Sequence, residues 1–236
     1  MPRFLAKLGD DGHDNNLTGA LLRAPNGALT HWRTAHPNGD SAVWQEDNPQ
    51  GLELLRRFRG GPYIVDQENY LNYYTLLQPV YRCEYEGFTG VVYQVTYHLP
   101  RTGVAAVRGF TAFSIDTPRS LPRTAVRPVG LLDSALRGRG YQGIKTDDKN
   151  FDKTFHVQCE DEEFAKALFH EDFEQYLFHS WLARVASFVI DGNTLNTWNH
   201  YAVHTENDER WAFDYMSMMI DFLVGIWRAI PPQLRG

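Results

Sequence analysis

Two runs of alternating side chains dominate the middle of this 236-residue sequence. Apolar or aromatic residues occupy every second position of 91–99, and a similar alternation extends over 105–115. A repeat of two residues with many β-branched and aromatic side chains is typical of a β-strand. Because Pro100-Arg-Thr-Gly103 between the runs is a turn-forming sequence, the two runs predict an antiparallel hairpin over about 88–116.

Three further segments are predicted to be extended. The three prolines of residues 118–128 favour an extended connector, since each proline fixes φ and lacks an N–H donor. Alternating apolar residues predict a strand at 154–159. The Asp191-Gly192 pair lies between two apolar runs and predicts a second hairpin over about 186–203.

Two stretches are predicted to form helices that cover the sheet. A helix is expected at about 162–182, where Asp161 is a suitable N-cap and the apolar positions continue to Trp181. A second helix is expected at about 208–230, with one apolar face formed by Trp211, Tyr215, Met218, Met219, Phe222 and Ile226. Antiparallel strands with interposed helices define an α+β fold.

The first 50 residues differ in composition from the rest of the chain. They are rich in Gly, Asn, Asp, Pro and His, and turn-forming pairs such as Asn26-Gly27 interrupt them. We therefore expect residues 1–50 to form a polar, turn-rich N-terminal arm, in which short apolar islands are either strands or anchors. Residues 51–236 are expected to form a single α+β domain.

Charge and hydropathy narrow the classes of protein that fit the sequence. The chain has 29 acidic and 23 basic residues, which disfavours nucleic acid as a partner because binding phosphate requires a basic face. The longest apolar run, 211–230, is interrupted by Asp214, Asp221 and Arg228, so we expect a soluble helix and no transmembrane segment. The start of the chain lacks a signal-like apolar run, and the two cysteines are expected to be reduced, as in a cytoplasmic protein.

Two motifs have the letters of ligand-binding loops without the context that these loops require. Gly138-Arg-Gly140-Tyr-Gln-Gly143 matches a dinucleotide fingerprint, but no strand is predicted before it, so we expect a helix end and a loop. Asp148-Lys-Asn150-Phe-Asp152 begins like a calcium loop. Lys153 and Cys159, however, stand where the loop needs a glycine and a bidentate glutamate, and we expect a solvated turn.

The sequence predicts no catalytic, cofactor-binding or metal-binding residue. His200 and His204 are four residues apart in a segment that is expected to be extended, which separates them by about 13 Å and prevents them from sharing one metal ion. The chain also lacks the GxSxG motif of a nucleophile elbow and the HExxH motif of a zinc protease.

The remaining features favour a non-catalytic binding or assembly module. Tyr, Trp and Arg are enriched at protein interfaces, and several lie where core packing does not account for them. We expect a protein partner or self-association, in a larger complex such as a phage-like or envelope-associated assembly, and peripheral membrane contact is left open. The candidate interaction surface consists of Trp32, Trp44, Arg56, Arg57, Arg59, Tyr70, Tyr73 and Tyr74.

The alternative is an enzyme of unknown class. Its pocket would lie between the 88–116 hairpin and the C-terminal helix, where Tyr97, His98 or neighbouring acids would act. A binding module should expose an apolar patch. An enzyme should instead hold a His or a carboxylate with a strongly shifted pKa in a concave pocket.

Several short motifs follow one another in a recognisable order, namely Arg57-Phe58, Gly61-Pro62-Tyr63, Gly90–Tyr97, Thr117-Pro118, Leu121-Pro122, Phe151–Val157, Asp161–His170, Phe188–Gly192, Leu195 and Ile230-Pro231. This order resembles a family of uncharacterised actinobacterial proteins whose soluble α+β domain often follows membrane helices. The resemblance covers about residues 57–232. It implies a fold without an assigned activity, so no catalytic or binding residue is carried over from it.

Overall fold

The computed structural model of the chain describes residues 19–23, 29–35, 43–44, 54, 74–98, 107–129, 143–199 and 209–236. Within these ranges the strands are β1 (Gly19–Arg23), β2 (Leu29–Ala35), β3 (Val43–Trp44), β4 (Tyr74–Tyr85), β5 (Phe88–His98), β6 (Val107–Pro128), β7 (Phe155–Cys159) and β8 (Phe188–Asn199). The helices are α1 (Lys149–Thr154), α2 (Glu162–Leu168), α3 (Glu171–His179), α4 (Glu209–Ala229) and α5 (Pro232–Arg235).

The strands form one sheet in the order β1-β2-β4-β5-β6-β7, with β3 also paired to β4 and β8 to β6. The pairings of β4 with β2, β3 and β5 are antiparallel, as are those of β6 with β5 and β7 and that of β1 with β2. An antiparallel sheet accompanied by helices is an α+β fold, which confirms the fold class predicted from the sequence.

The chain divides into two compact units. Unit 1 consists of Met1–Ile115 with Trp198–Asp221, and unit 2 consists of Asp116–Thr197 with Phe222–Gly236. Strands β1 to β5 belong to unit 1, whereas β7 and helices α1 to α3 belong to unit 2. Compactness does not show that either unit folds alone, so the single domain expected over 51–236 stays a prediction.

The first predicted hairpin is confirmed by the antiparallel pairing of β5 with β6, in which Val92 lies opposite Phe113 and His98 opposite Val107. The predicted turn at 100–103 lies outside the described residues. Strand β6 then continues through the three prolines to Pro128. The segment expected to be a connector is therefore extended, as predicted, but it belongs to the sheet.

Strand β5 is buried on both faces in unit 1, because Val91, Val92 and Tyr93 are each at most 1% exposed. On one face, the Tyr93 hydroxyl donates a hydrogen bond of 3.0 Å to the Leu54 carbonyl. On the other face, the Ile220 side chain of α4 lies 3.1 Å from the position that a Cβ on Gly90 would occupy. Because both faces are covered, β5 is a central element of the unit 1 core.

A second hairpin of unit 1, formed by β4 and β5, was not predicted from the sequence. Tyr85 pairs with Phe88, and the two residues between them both have positive φ, 49° for Glu86 and 87° for Gly87. Two central residues with positive φ define the type I′ turn that matches the twist of a β-hairpin. Glutamate is uncommon in this conformation, which is why Glu86-Gly87 is a weaker turn signal than Asn-Gly.

We expect the Gly87→Ala substitution to lower the free energy of unfolding by about 1 kcal/mol, because a Cβ at φ 87° strains the backbone. A Cβ built at Gly87 has no atom within 4 Å, so the whole effect should come from backbone conformation. Urea unfolding measures the change. The matched Glu86→Asn variant should gain stability, since asparagine tolerates positive φ, and a neutral Gly87→Ala would contradict this account of the turn.

The second predicted hairpin is also present in unit 2. Residues 188–199 are assigned to one strand, β8, yet the Thr197 hydroxyl donates a hydrogen bond of 2.7 Å to the Ser187 carbonyl. Ten residues of unbroken strand would separate these groups by about 33 Å, so the chain must reverse direction between them. Gly192, with φ 59°, and the bond from Thr194 to the Asp191 carbonyl locate the reversal at the predicted Asp191-Gly192 turn. Residues 200–203 lie outside the described part.

The predicted helix at 162–182 is in fact two helices, α2 and α3. Asp161 caps α2 as predicted, because its carboxylate accepts a 2.9 Å hydrogen bond from the Phe164 amide. The helix then stops at Phe169, whose ψ of 60° is not helical. Phe169 contacts the rings of Phe151 and Phe173 at centroid distances of 5.5 and 5.6 Å, so the break is accompanied by aromatic packing.

Helix α4 was predicted to have one apolar face, and its described side chains do form one buried face, which is wider than predicted. From residue 216 to 230 the half-buried or exposed positions are 218, 221, 225, 228 and 229, which lie on one stripe of the helix, and the other positions are buried. A broad buried face beside one narrow, less buried stripe is typical of a helix that packs on a core over most of its circumference. Among the described residues, no helix combines the length and apolar character needed to span a membrane.

Candidate functional site

The structure places three of the eight predicted interaction residues on strands of unit 1. Trp32 lies in β2, Trp44 in β3 and Tyr74 in β4. The remaining five, which are Arg56, Arg57, Arg59, Tyr70 and Tyr73, lie outside the described residues. The role of this surface therefore stays a prediction.

The backbone brings two of these three residues together. Trp44 pairs with Leu76, which is two residues from Tyr74 along β4, a diagonal relation that corresponds to about 7–8 Å. Trp32 pairs with Cys83, seven residues further along the same strand, or about 23 Å away. A single small contact surface could therefore include Trp44 and Tyr74, but not Trp32 as well.

A different exposed aromatic residue was missed by the sequence analysis. Trp181 was expected to continue the apolar face of the helix, but it is 61% exposed, and Val185 is 69% exposed. The expectation was wrong because α3 ends at His179 and Ser180 is extended, so the helical spacing does not reach Trp181. We define the Trp181 surface as the exposed side chains of Trp181, Arg184 and Val185.

The Trp181 surface is built on an ordered turn. The amides of Arg184 and Val185 donate hydrogen bonds to the carbonyls of Trp181 and Leu182, at 3.2 and 3.1 Å. Leu182 and Ala183 are 8% and 1% exposed, so they anchor the turn in unit 2. Trp181 and Val185 are therefore held outward by the buried residues between them.

The Arg184 guanidinium is fixed at the end of α3. Its Nε donates a hydrogen bond of 3.1 Å to the Phe178 carbonyl, one of the last carbonyls of the helix. A cation at this position is favourable because the C-terminal end of a helix carries partial negative charge. The surface thus combines an exposed tryptophan with a positioned arginine, two residue types that are enriched at the centres of protein interfaces.

A second unusual feature of unit 2 is a buried carboxyl group. Glu174, in α3, is 7% exposed, and its Oε1 atom has neither solvent contact nor a hydrogen-bond partner. The carboxyl interacts with Thr146 and with the charges of Asp147, Asp148 and Asp152. We name Glu174 and these three aspartates the carboxylate cluster.

The environment of Glu174 favours its protonated form. Burial is the largest effect and raises the pKa of Glu174 above its ordinary value of 4.5. The hydrogen bond with Thr146 lowers the pKa, whereas the negative charges of the three aspartates raise it. A raised carboxyl pKa is also a property of catalytic acids, but a substrate could not reach an Oε1 atom that has no exposed area.

The segment that resembles the start of a calcium loop is part of this cluster, and it is not the solvated turn that was expected. It forms helix α1, with Asp148 as the N-cap that accepts bonds of 2.7 and 3.3 Å from the amides of Asn150 and Phe151. Asp152 accepts a 3.0 Å bond from the Thr146 amide. These carboxylates are thus used to hold the local backbone.

Other candidates from the sequence are placed as follows. Gly143 is the described residue of the glycine-rich motif, and a Cβ there would meet the His156 ring. His200 and His204 lie outside the described residues.

Tyr97 and His98 are in β5, opposite Arg108 and Val107. In the ranges that the structure covers, no group of three or more His, Cys, Asp or Glu side chains is arranged to hold a metal ion.

The two cysteines are free thiols. Cys83, in β4, is 1% exposed, and burial raises its pKa to about 12, with a smaller contribution from the charge of Glu84. A buried thiol that stays protonated is a poor nucleophile. Cys83 is therefore a packing residue of the unit 1 core.

No protein-family model, curated protein or solved structure matches this chain. The resemblance to the actinobacterial family stays a prediction from the sequence motifs.

Proposed function

We propose that this protein is a non-catalytic binding or assembly module that contacts another protein chain through the Trp181 surface. The observation that carries the proposal is the 61% exposure of Trp181 on a turn that is anchored by buried residues. A large aromatic side chain held outward in one conformation loses little entropy when a partner covers it. It is also the side chain type that contributes most at protein interfaces.

The expected energetic effect is large enough to measure. Truncating a tryptophan at the centre of an interface costs about 2 kcal/mol or more, which is at least about thirtyfold in Kd. Val185 adds apolar area beside it, and Arg184 supplies a charge that can pair with a partner's carboxylate. The proposed location is the cytoplasm, which is supported by the two free cysteines.

Assembly through residues 1–50 is a further part of the proposal, but deleting them is a poor test. Strands β1, β2 and β3 come from this region, and β2 and β3 pair with β4. A truncated chain would expose an edge of β4, and unpaired edges promote association by themselves. Substitutions at exposed side chains avoid this problem.

A photo-crosslinking residue at position 181 tests the proposed function in cells that naturally produce the chain. We expect an adduct of defined mass, twice the chain mass for self-association and another mass for a different partner. The matched control carries the same residue at Ala167, an exposed position of α2 in the same unit. Equal labelling at both positions, or no adduct at position 181, would refute the Trp181 surface as a contact site.

The Trp181→Ser substitution gives the quantitative prediction. It should weaken the association detected by crosslinking at least about thirtyfold, measured as Kd by light scattering or by titration with the identified partner. Because Trp181 is mostly exposed, stability should change by less than about 0.5 kcal/mol. An unchanged Kd with unchanged stability would contradict the proposal.

A further inference from the structure

The carboxylate cluster has a property that does not depend on the proposed function. Its members come from two parts of unit 2 that lie far apart in sequence, residues 147–152 and helix α3. The two parts are also joined by an aromatic contact, since the rings of Phe151 and Phe178 meet edge to face at 5.6 Å. Glu174 thus lies where helix α1 and the residues before it meet helix α3.

The negative charges of the three aspartates oppose the ionisation of Glu174, which would add a fourth negative charge to the carboxylate cluster. Asp147 and Asp148 face it from the segment before α1, and Asp152 faces it from α1 itself. Lys145 is 3.7 Å from the Asp152 carboxylate and mostly exposed, so it offsets the charge of Asp152 rather than that of Glu174. On α3, the neighbouring Glu171 and Asp172 are exposed and negative, and the N-cap His170 is exposed.

Hydrogen bonding leads to the same conclusion. The Glu174 Oε1 atom has no hydrogen-bond donor in its buried position. A neutral carboxyl group tolerates this environment far better than a carboxylate, which needs several donors or water. An ionised Glu174 would have to reach water, and the simplest path is for the neighbouring segment to move away.

We propose that Glu174 and the three aspartates form a proton-dependent latch, which holds residues 145–148 against α3 while Glu174 is protonated and releases them when Glu174 ionises. The Phe151 ring remains in the core in both states, because it also contacts Phe155 and Phe169. The change is therefore a local opening around Thr146 and Asp147.

The direction of the pH dependence follows from the raised pKa of Glu174. In the opened state the group ionises near its ordinary pKa of 4.5, whereas in the closed state it retains its proton to higher pH. The closed state therefore binds more protons over this interval. The latch is fully stabilised below about pH 4.5 and loses that stabilisation as the pH rises through the pKa of the closed state.

Amide hydrogen exchange of the full chain, followed by NMR between pH 4.5 and 8, tests the latch. The amides of Thr146 and Asp152 report on it, because they bond to Asp152 Oδ1 and to the Asp148 carbonyl. After correction for the intrinsic effect of pH, their protection should fall by up to about tenfold per pH unit, the limit for one titrating group. The Phe169 amide of α2 is the internal reference and should not change.

Two variants separate the latch from a purely structural role of Glu174. Glu174→Gln should abolish the pH dependence of the Thr146 and Asp152 amides, whereas the matched Asp172→Asn change on the exposed side of α3 should preserve it. If Glu174→Gln fails to fold, Asp147→Asn should shift the dependence to lower pH, because removing a negative charge near Glu174 lowers its pKa and Glu174 then ionises earlier as the pH rises. Protection that varies identically in the wild type and in Glu174→Gln, or an unshifted profile in Asp147→Asn, would overturn the proposal.

Discussion

Replacing Phe151 by alanine should lower the free energy of unfolding by about 3–5 kcal/mol, the usual cost of removing a fully buried aromatic side chain. Phe151 has no exposed surface. Its ring contacts those of Phe155, Phe169 and Phe178 at centroid distances of 4.8, 5.5 and 5.6 Å. Alanine would leave a cavity that these neighbours cannot fill without losing their mutual edge-to-face contacts.

Urea unfolding of the full chain measures this effect. The matched control is Phe164→Ala in α2, where the phenylalanine is partly exposed and its loss should cost about 1 kcal/mol. Phe151→Leu should fall between the two, because leucine retains most of the buried volume. If Phe151→Ala cost no more than Phe164→Ala, the aromatic cluster would not be the centre of unit 2.

The aromatic cluster of unit 2 also connects the core to the Trp181 surface. The cluster consists of Phe151, Phe155, Phe169 and Phe178. Phe178 packs against Phe151 through its ring, and its carbonyl accepts the hydrogen bond from Arg184. Loosening the cluster should therefore loosen the turn that holds Trp181 outward. Because the chain has 6 Trp, the contribution of Trp181 is the difference in fluorescence between Phe151→Ala and the same variant with Trp181→Phe, and this difference would report the change before global unfolding.

Sequence patterns identified the elements that depend on local signals. The β5–β6 hairpin, the turn at Asp191-Gly192 and the cap at Asp161 each rest on alternation, turn chemistry or capping within a few residues. The β4–β5 turn escaped detection because Glu86 is an unusual residue at positive φ. The break at Phe169 escaped detection because aromatic packing against distant residues accompanies it.

The candidate sites were harder to predict from the sequence than the strands and turns, because recognising them requires the tertiary structure. An acidic residue near the start of a helix is ordinarily explained by the helix dipole, so nothing local distinguishes Glu174 from the exposed Glu171 and Asp172. The position of Trp181 in the sequence fits the helical spacing of α3. Trp181 is exposed because α3 ends at His179, before this residue. In both cases burial, which is a property of the fold, separates functional candidates from ordinary residues.

The second large effect is expected in unit 1, where the Gly90→Ala substitution should cost about 1–3 kcal/mol or more by overpacking. Gly90 pairs directly with Cys83 across β4 and β5. A Cβ on residue 90 would lie 2.5 Å from the Cys83 Sγ atom and 3.1 Å from Ile220 Cδ1. These neighbours are at most 1% exposed, so they have little room to move.

The Cys83→Ala substitution should restore much of this loss. Because burial raises the pKa of Cys83 to about 12, the thiol is neutral at ordinary pH, and its removal changes volume without changing charge. Alone, Cys83→Ala should cost about 1 kcal/mol for the lost buried group. In the double variant, the methyl group added at residue 90 takes the volume that the Cys83 thiol leaves. The free energy of unfolding of the double variant should therefore be about 1–2 kcal/mol higher than the two single changes together predict.

A second double-mutant cycle supplies the control. Gly87→Ala lies in the same hairpin but has no atom within 4 Å of its added Cβ, so its effect should add to that of Cys83→Ala within about 0.5 kcal/mol. Suppose that Cys83→Ala is coupled to Gly90→Ala but additive with Gly87→Ala. This result would establish that Cys83 and Gly90 are complementary in size. Additivity in both cycles would mean that β4 and β5 can separate around the new methyl group, and that the Ile220 side of the unit 1 core is less tightly packed than its burial implies.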